Sequence, residues 1–235
     1  MIIATSLSRT ANQLFFLCIV FSLLLATIAA PADASDATEA QGIVDKSKAT
    51  FNNFMADPNY SWLHENLHKA KGLLIYPQVL KAGFIFGGAG GSGVLVVRDD
   101  KSGEWSQPAF YTVGSVTFGL QIGAEASEMI VMVMTRQAMD SLLSSSLRFG
   151  GDASIAFGPV GVGAKGDIKT DLIAFAKAKG LYGGLNLEGS LVQVRNGLNE
   201  AFYGKYVTPV DIIVRKTASN PDSSPLLNAL KKAGR

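Results

Sequence analysis

The chain has 235 residues, of which 48% are hydrophobic and 17% charged, and its formal net charge is +2. This length and composition predict one globular domain with a large core. The nearly balanced charge argues against a nucleic-acid partner, and the sequence shows neither a basic stripe nor a recognition motif for one.

The N-terminal residues 1–34 predict a secretory signal peptide. The unbroken apolar run Leu14–Ala30 follows Arg9, and the small-x-small pattern Ala32-Asp33-Ala34 follows the run. We expect cleavage near Ala34 and a periplasmic or secreted protein that is peripheral to the membrane. An uncleaved anchor is the alternative, because the run approaches the length of a membrane span. Cleavage would remove Cys18, the one cysteine, so export brings no disulfide.

An amphipathic helix is predicted next, from about Asp36 to the Asp57-Pro58 pair. Asp36 with Glu39 three residues later is an N-cap signature, and the residue before a proline disfavours helix. Small and apolar side chains fall on one face at helical spacing: Ala40, Ile43, Val44, Ser47, Phe51, Phe54 and Met55. Two interpretations of this face are open, namely packing on a sheet or lying in a membrane surface.

A second, short helix is predicted over Trp62–Lys69, with His64 and His68 one turn apart. Such a pair can bind zinc. However, these are the only two histidines and no H-E-x-x-H motif is present, which favours two solvated side chains.

The segment Lys69–Arg98 has apolar runs interrupted by glycines. Its runs Leu73–Tyr76, Phe84–Phe86 and Val94–Val97 have the length and composition of strands. Glycine weakens a strand unless a bulge, a corner or a close backbone approach needs the missing side chain. The segment therefore predicts a compact antiparallel sheet whose strands turn sharply and pack closely.

The middle of the chain predicts further strands and a helix. The turn cluster Asp99–Gly103 predicts a hairpin, and the alternation over Val116–Ile122 predicts a half-buried strand. Met129–Met134 is apolar throughout, which is typical of a strand covered on both faces. Thr135 can cap a helix that ends near Leu143.

The C-terminal part completes an α+β fold. Strands are predicted within Phe149–Asp167, at Leu172–Ala176 and around a bulge at Gly189, and an edge strand at Val210–Val214. Asn199–Tyr203 predicts a helical turn, and Pro225–Ala233 a last helix with proline at its first position. The elements together predict a bent antiparallel sheet, or partly closed barrel, with N-terminal, central and C-terminal helices.

A series of glycine-rich motifs runs through the chain from about Ala37 to Tyr206. In order they are Lys69-Ala70-Lys71-Gly72, Lys81-Ala82-Gly83-Phe84, Gly90-Gly91-Ser92-Gly93, Gly103–Pro108, Gly150-Gly151-Asp152, Gly158–Gly161, Lys179–Gly184, Leu187–Ser190 and Asn199–Gly204. They resemble the SYLF domain family, also called the Ysc84 actin-binding family. The resemblance implies a lipid-binding domain, with phosphoinositide and actin binding in eukaryotic members. It also associates lipid binding with the amphipathic helix at the N-terminal end.

The lipid-contacting residues that this resemblance implies are lysines and the apolar helix face. Lys69, Lys71 and Lys81 flank the first motifs, and lysine acts as a strongly hydrated point charge near phosphate. Lys46 and Lys48 lie on the helix. The apolar candidates on the same helix are Ile43, Phe51 and Phe54.

Motifs for catalysis are weak. Gly161-x-Gly-x-x-Gly166 matches a dinucleotide fingerprint, but no amphipathic helix opens after it. The carboxylates Glu125, Asp152, Asp167 and Glu188 stand beside glycine or small residues and could form an acid/base pair or a hard-metal site. Strand-end and loop-capping carboxylates are the competing interpretation.

We expect a non-catalytic, exported protein that binds a phosphoinositide-like or other anionic phospholipid at a membrane surface, without a cofactor or metal. A protein-interaction module of the cell envelope is the alternative, for which actin binding in eukaryotic relatives is the precedent. An envelope enzyme that uses a carboxylate pair is a further alternative.

Overall fold

The structure is a computed structural model that describes residues 32–83, 86–118, 123–144, 146–166, 168–179 and 187–234. Within these ranges the helices are α1 (Ala32–Ala56), α2 (Ser61–Asn66), α3 (Arg136–Leu143), α4 (Asn196–Tyr203) and α5 (Ser224–Ala233). The strands are β1 (Gly72–Gly83), β2 (Phe86–Val97), β3 (Ala109–Phe118), β4 (Gly123–Val133), β5 (Ser146–Arg148), β6 (Ile155–Phe157), β7 (Leu172–Lys179) and β8 (Leu191–Val194). Short 3-10 helices span Pro58–Tyr60, Leu67–Lys69 and Pro221–Ser223, and a π-helical segment spans Val210–Val214.

These strands form one curled, half-barrel sheet in the order β5-β8-β3-β2-β1-β4-β7-β6. Neighbouring strands are antiparallel except for β6, which runs parallel to β7. Helices lie at the N-terminal, central and C-terminal positions. The predicted α+β fold with a bent antiparallel sheet is therefore confirmed.

Alternation along β1 divides the core into two layers. Leu73 and Ile75 face the layer that contains α1, α2, α4 and α5, whereas Leu74 and Tyr76 face the layer that contains α3 and the π-helical segment. Because both faces of the sheet are covered at this point, Leu73–Tyr76 of β1 are buried and apolar on both sides. Met129–Val133 of β4 is fully buried, which confirms the predicted strand covered on both sides.

The glycine-rich segment is a strand that faces a bulge. The pairing register of β1 shifts between Tyr76 and Val79, and both side chains lie in the same core layer despite their odd spacing. A Cβ atom on Gly91 would overlap the carbonyl oxygen of Gln78 in this bulge, and one on Gly93 would overlap that of Ile75. The predicted close packing is confirmed. The glycines lie inside one continuous strand, because β2 runs from Phe86 to Val97.

Several local signals act as predicted. Helix α1 ends at Ala56, and the Asp57 side chain caps the following 3-10 helix by accepting the Asn59 N–H at 3.1 Å. Thr135 caps α3 by accepting the Ala138 N–H at 3.3 Å. The start of α1 is earlier than the predicted Asp36, since the described helix begins at Ala32.

Three predicted strands are wrong in part or in full. Val210–Val214 is π-helical, because this turn places Ile212 and Ile213 in the second core layer. Within the predicted Phe149–Asp167 region, the described residues 149–166 contain a single strand, Ile155–Phe157. Val116 belongs to β3 but is 74% exposed, so the strand is not half-buried there, and residues 119–122 lie outside the described ranges.

Gly189 lies in a turn before β8, with φ at +79°, rather than in a bulge inside a strand. Among the described residues no helix is both long and apolar enough to cross a bilayer.

Candidate functional site

The apolar face of α1 packs against the sheet. Ile43, Phe51 and Phe54 are 9%, 1% and 0% exposed and belong to the same core layer as Ile75 and Ile130. Of the two interpretations of this face, the structure therefore has the packed one. These three candidates for lipid contact offer lipid no accessible surface while α1 stays in place.

Polar contacts hold α1 on the sheet along its length. The buried carboxylate of Glu128 on β4 accepts hydrogen bonds from the Thr50 hydroxyl at 3.3 Å and from the Asn53 amide at 3.1 Å. At the C-terminal end, the Lys177 ammonium donates to Asp57 at 2.7 Å. This bond, together with the Asn59 N–H, holds the pKa of the Asp57 carboxyl below its ordinary value.

The N-terminal part of α1 is bonded near the β2 side of the same sheet. Arg195, just before α4, lies 3.4 Å from the Glu39 carboxylate and donates to the Ser92 hydroxyl on β2 at 3.0 Å. Helix α1 therefore crosses the sheet from the β2 side to β4 and β7, and its outer surface faces solvent.

Two predicted lysines lie on that outer surface. Lys46 is exposed and Lys48 half-buried, and neither forms a hydrogen bond or ion pair with the part of the chain that the structure describes. Lys46 also lines a cleft of about 250 Å³ between α1 and the β1 bulge, together with Gln78 and the buried Glu128. We call Lys46 and Lys48 the α1 lysine pair.

The other three predicted lysines do not join this pair. Lys69 donates to the Asn66 side chain at 2.7 Å, and Lys71 is ion-paired with Asp100 at 2.9 Å just before β1. Lys81 lies near the far end of β1, which is about 30 Å from Lys71 at the usual rise of a strand. Lys81 is the register partner of Glu125 and has contacts of its own. The five lysines are thus spread over the molecule.

The carboxylates considered for catalysis serve local structure where they are described. Asp152 accepts the Arg148 N–H at 2.7 Å in the turn after β5, and Glu125 accepts the Ser127 hydroxyl at 3.4 Å on β4. Glu188 is exposed in the turn before β8, and Asp167 lies outside the described residues. Within the described ranges no three His, Cys, Asp or Glu side chains are arranged to hold a metal ion.

The two histidines lie in different environments. His64 Nε2 lies 2.9 Å from the Phe54 carbonyl oxygen, whereas His68 is exposed. The distance fits a hydrogen bond that links α2 to the end of α1, so this ring has a structural role.

Clear pKa shifts elsewhere also have structural causes. Hydrogen bonds from Ser154 and Thr135 lower the pKa of Asp171. Hydrogen bonds from the hydroxyl and the backbone N–H of Thr208, together with one from Arg215, lower the pKa of Asp211 to about 2. These carboxylates fix turns and helix ends rather than a cleft.

Sequence reasoning missed one exposed feature. The segment Gly158–Gly166, which we call the valine loop, falls partly within a predicted strand and contains the family motif Gly158–Gly161 and the dinucleotide-like glycines, but none of these patterns predicts an exposed apolar loop. It forms an irregular loop between β6 and β7, in which Val160 is 60% and Val162 77% exposed. Pro159 and the closely spaced glycines were the available signals for a loop.

A model of the family described as "Ysc84: Las17-binding protein actin regulator" matches residues 114–233, about half of the chain. This chain belongs to the Ysc84 family. The match begins within β3 and includes the valine loop, α4 and α5. The resemblance to the SYLF, or Ysc84, family is thereby confirmed, and membership supports a non-catalytic interaction module.

Known relatives of this Ysc84 domain are longer proteins. Protein YSC84 of Saccharomyces cerevisiae is 34% identical over 172 residues, which cover 70% of this chain and 36% of the relative. LAS seventeen-binding protein 3 of the same species is 33% identical over 172 residues, covering 70% and 37%. The human SH3 domain-containing YSC84-like protein 1 is 31% identical over 167 residues, covering 69% and 48%. The chain thus spans about a third to a half of these relatives, and no solved structure matches it.

Proposed function

We propose that this Ysc84 domain is a non-catalytic module that binds anionic phospholipid, a phosphoinositide or a simpler acidic lipid, at a membrane surface. The observation that supports it best is the α1 lysine pair. Lys46 and Lys48 lie outside the core on a helix that tertiary contacts hold in place, and no described carboxylate neutralises them.

The expected attraction is weak and sensitive to salt. A lysine near an anionic membrane contributes about 1 kcal/mol. The acidic neighbours of the pair reduce this, since Asp45 is also exposed on α1. Two lysines alone therefore give a transient contact, and screening over about 8 Å at physiological salt weakens it further.

Vesicle co-sedimentation of residues 35–235 tests the proposal. This segment begins at the predicted cleavage site and keeps both cores, since every buried core side chain lies at or beyond Ala40. We expect sedimentation with mixed vesicles of phosphatidylglycerol and phosphatidylcholine, and little with vesicles of phosphatidylcholine alone. Binding should be lost at about 0.5 M salt, because the salt screens the attraction between the lysines and the headgroups. No sedimentation with either vesicle would overturn the lipid function.

Matched lysine variants locate the contact. Lys46→Gln with Lys48→Gln should weaken binding to anionic vesicles, whereas Lys231→Gln should not, because Lys231 is already paired with Glu104 at 2.6 Å. A triple variant of Lys69, Lys71 and Lys81 tests the sites that the family resemblance implied. Equal loss in the Lys231 variant would indicate a diffuse charge effect rather than a site.

A protein partner is the second candidate. It is favoured by the family description, which names Las17 binding and actin regulation for relatives of this chain. Co-sedimentation with purified actin filaments provides the probe. Binding to filaments together with no binding to either vesicle would favour this candidate over lipid.

We also propose that the protein acts outside the cytoplasm, peripheral to a membrane. The apolar run Leu14–Ala30 and the cleavage pattern that follows it support export. The mass of the protein recovered from its cells tests this, because a mature chain that begins at Ser35 requires cleavage. A recovered chain that retains residues 1–34 would contradict it.

A further inference from the structure

The valine loop is held rigidly at its tip. The Gly161 N–H donates to the Asn59 carbonyl at 2.8 Å, and the Ser61 hydroxyl donates to the Gly161 carbonyl at 3.3 Å while accepting the Gly163 N–H at 3.1 Å. Gly161 and Gly163 have φ angles of +133° and +71°, which side-chain-bearing residues rarely adopt. The backbone therefore has a fixed course against the segment that leads into α2.

The base of the loop is fixed as well. The Trp62 indole donates to the Gly166 carbonyl at 2.9 Å, and the Gly158 N–H donates to the Ala174 carbonyl at 2.9 Å. Gly158 is buried against the ring of Phe175, where a Cβ atom would overlap the ring. The loop is thus attached to the protein at both ends and at its tip.

These bonds satisfy part of the loop's backbone within the protein. Pro159 has no N–H, and the N–H groups of Gly158, Gly161, Gly163 and Ala164 all have acceptors in the protein. Each group that is bonded inside the protein avoids the cost of leaving water, and the remaining groups can bond to water or headgroup oxygens at the membrane boundary, which is not dry.

The exposed side chains of the loop are aliphatic and basic. Val160 and Val162 are 60% and 77% exposed, and Phe157 at the end of β6 is 51% exposed. Lys165 is exposed in the same loop, and the sequence has no acidic residue from Ile155 to Gly166, although Asp167 follows. Apolar side chains next to a positive charge complement the boundary between acyl chains and anionic headgroups.

We propose that the valine loop inserts Val160 and Val162 into the headgroup and acyl boundary of an anionic membrane, and so supplies the apolar part of the contact. This inference rests on the lipid function proposed above. A membrane is the chosen occupant because the valines protrude on a fixed loop, alternate with glycines and lie beside Lys165, so contact needs no matching groove. The α1 lysine pair adds charge, whereas the loop adds partition into the lipid.

Serine substitutions test the inference. Val160→Ser with Val162→Ser keeps the glycines and the anchoring bonds, and we expect about tenfold weaker partition of residues 35–235 into anionic vesicles. Because the removed contact is apolar, the ratio of parent to variant partition should not change with salt over the range in which the parent still binds. The matched control is Val214→Ser, at an exposed valine outside the loop, which should bind as the parent does.

The outcomes separate the two proposals. A parent that binds vesicles and a double variant that binds equally well would overturn the loop inference and leave the lipid function standing. A parent that binds no vesicle would overturn both. A double variant that keeps vesicle binding but loses binding to actin filaments would assign the loop to a protein partner instead.

A spectroscopic variant measures insertion directly. Val162→Trp places an indole at the tip, while the native Trp62 and Trp105 are only 5% and 8% exposed. We expect a blue-shifted emission and quenching by brominated lipid when anionic vesicles are added. Sedimentation with vesicles without quenching of this indole would overturn insertion, even if the serine variants failed to fold.

Discussion

Alanine substitution of Gly91 tests whether the glycines of β2 are required by the bulge in β1. A Cβ atom on Gly91 would overlap the carbonyl oxygen of Gln78, which is backbone and cannot rotate away. The neighbouring Gly90 faces the other side of the sheet, where an added Cβ would lie 3.5 Å from the Val113 carbonyl oxygen, an ordinary contact. The two adjacent glycines therefore form a matched pair.

The magnitudes for the two variants have opposite signs. Overpacking a closed site costs about 1–3 kcal/mol, while replacing a strand glycine by alanine returns about 0.5–1 kcal/mol. For Gly91→Ala we expect a net loss of about 2 kcal/mol, near the upper end because the clash is with backbone. For Gly90→Ala we expect no loss, or a gain of up to about 1 kcal/mol.

Thermal and urea unfolding of residues 35–235 measure this difference. At about 2–4 °C per kcal/mol for a chain of this size, the melting temperature of the Gly91 variant should fall about 4–8 °C below the parent, and that of the Gly90 variant should not fall. Equal melting temperatures for the two variants would refute the reasoning, because they would show that β1 and β2 are not in close contact at the bulge.

Three further predictions concern α1 and the π-helical segment. Glu128→Ala removes the acceptor of the buried Thr50 hydroxyl and should lower the free energy of unfolding by about 1–3 kcal/mol in urea titrations, whereas Ala at the exposed Glu65 should not. The lowered pKa of Asp211 means that its contribution to stability is complete above the unfolded value of 3.8 and is lost as pH falls towards about 2. Asp211→Asn should therefore flatten the acid side of the stability curve, and an unchanged slope would contradict this assignment. Amides of α1 should keep their protection from hydrogen exchange when the domain binds vesicles, and loss of that protection would indicate that the helix leaves the sheet.

Local patterns predicted the elements whose signals are local. The α1 stripe, the apolar Met129–Met134 run and the Thr135 cap each specify their structure within a few residues, and each is present. The strand predicted at Val210–Val214 was wrong, because a short β-branched run fits a strand or a buried helical turn equally well. Tertiary packing of Ile212 and Ile213 decides between them.

The candidate site was less accessible to prediction because it depends on distant contacts. Nothing local shows that Lys71 is neutralised by Asp100, or that β1 extends far enough to separate it from Lys81. The valine loop was missed because alternation of valine and glycine resembles a strand. Its anchors, such as Ser61, lie about a hundred residues earlier in the chain.

Energetics restrict how α1 can take part in membrane contact. Burying a large apolar side chain contributes about 1.5–3 kcal/mol, so Ile43, Phe51 and Phe54 together contribute about 5–9 kcal/mol to the packed helix. That sum is comparable to the free energy of unfolding of a typical domain, which is about 5–15 kcal/mol. Lipid could cover the released helix face, but the sheet face beneath it would remain exposed to water. If the domain binds a membrane as proposed, the contact is expected from groups already outside the core, namely Lys46, Lys48 and the valine loop.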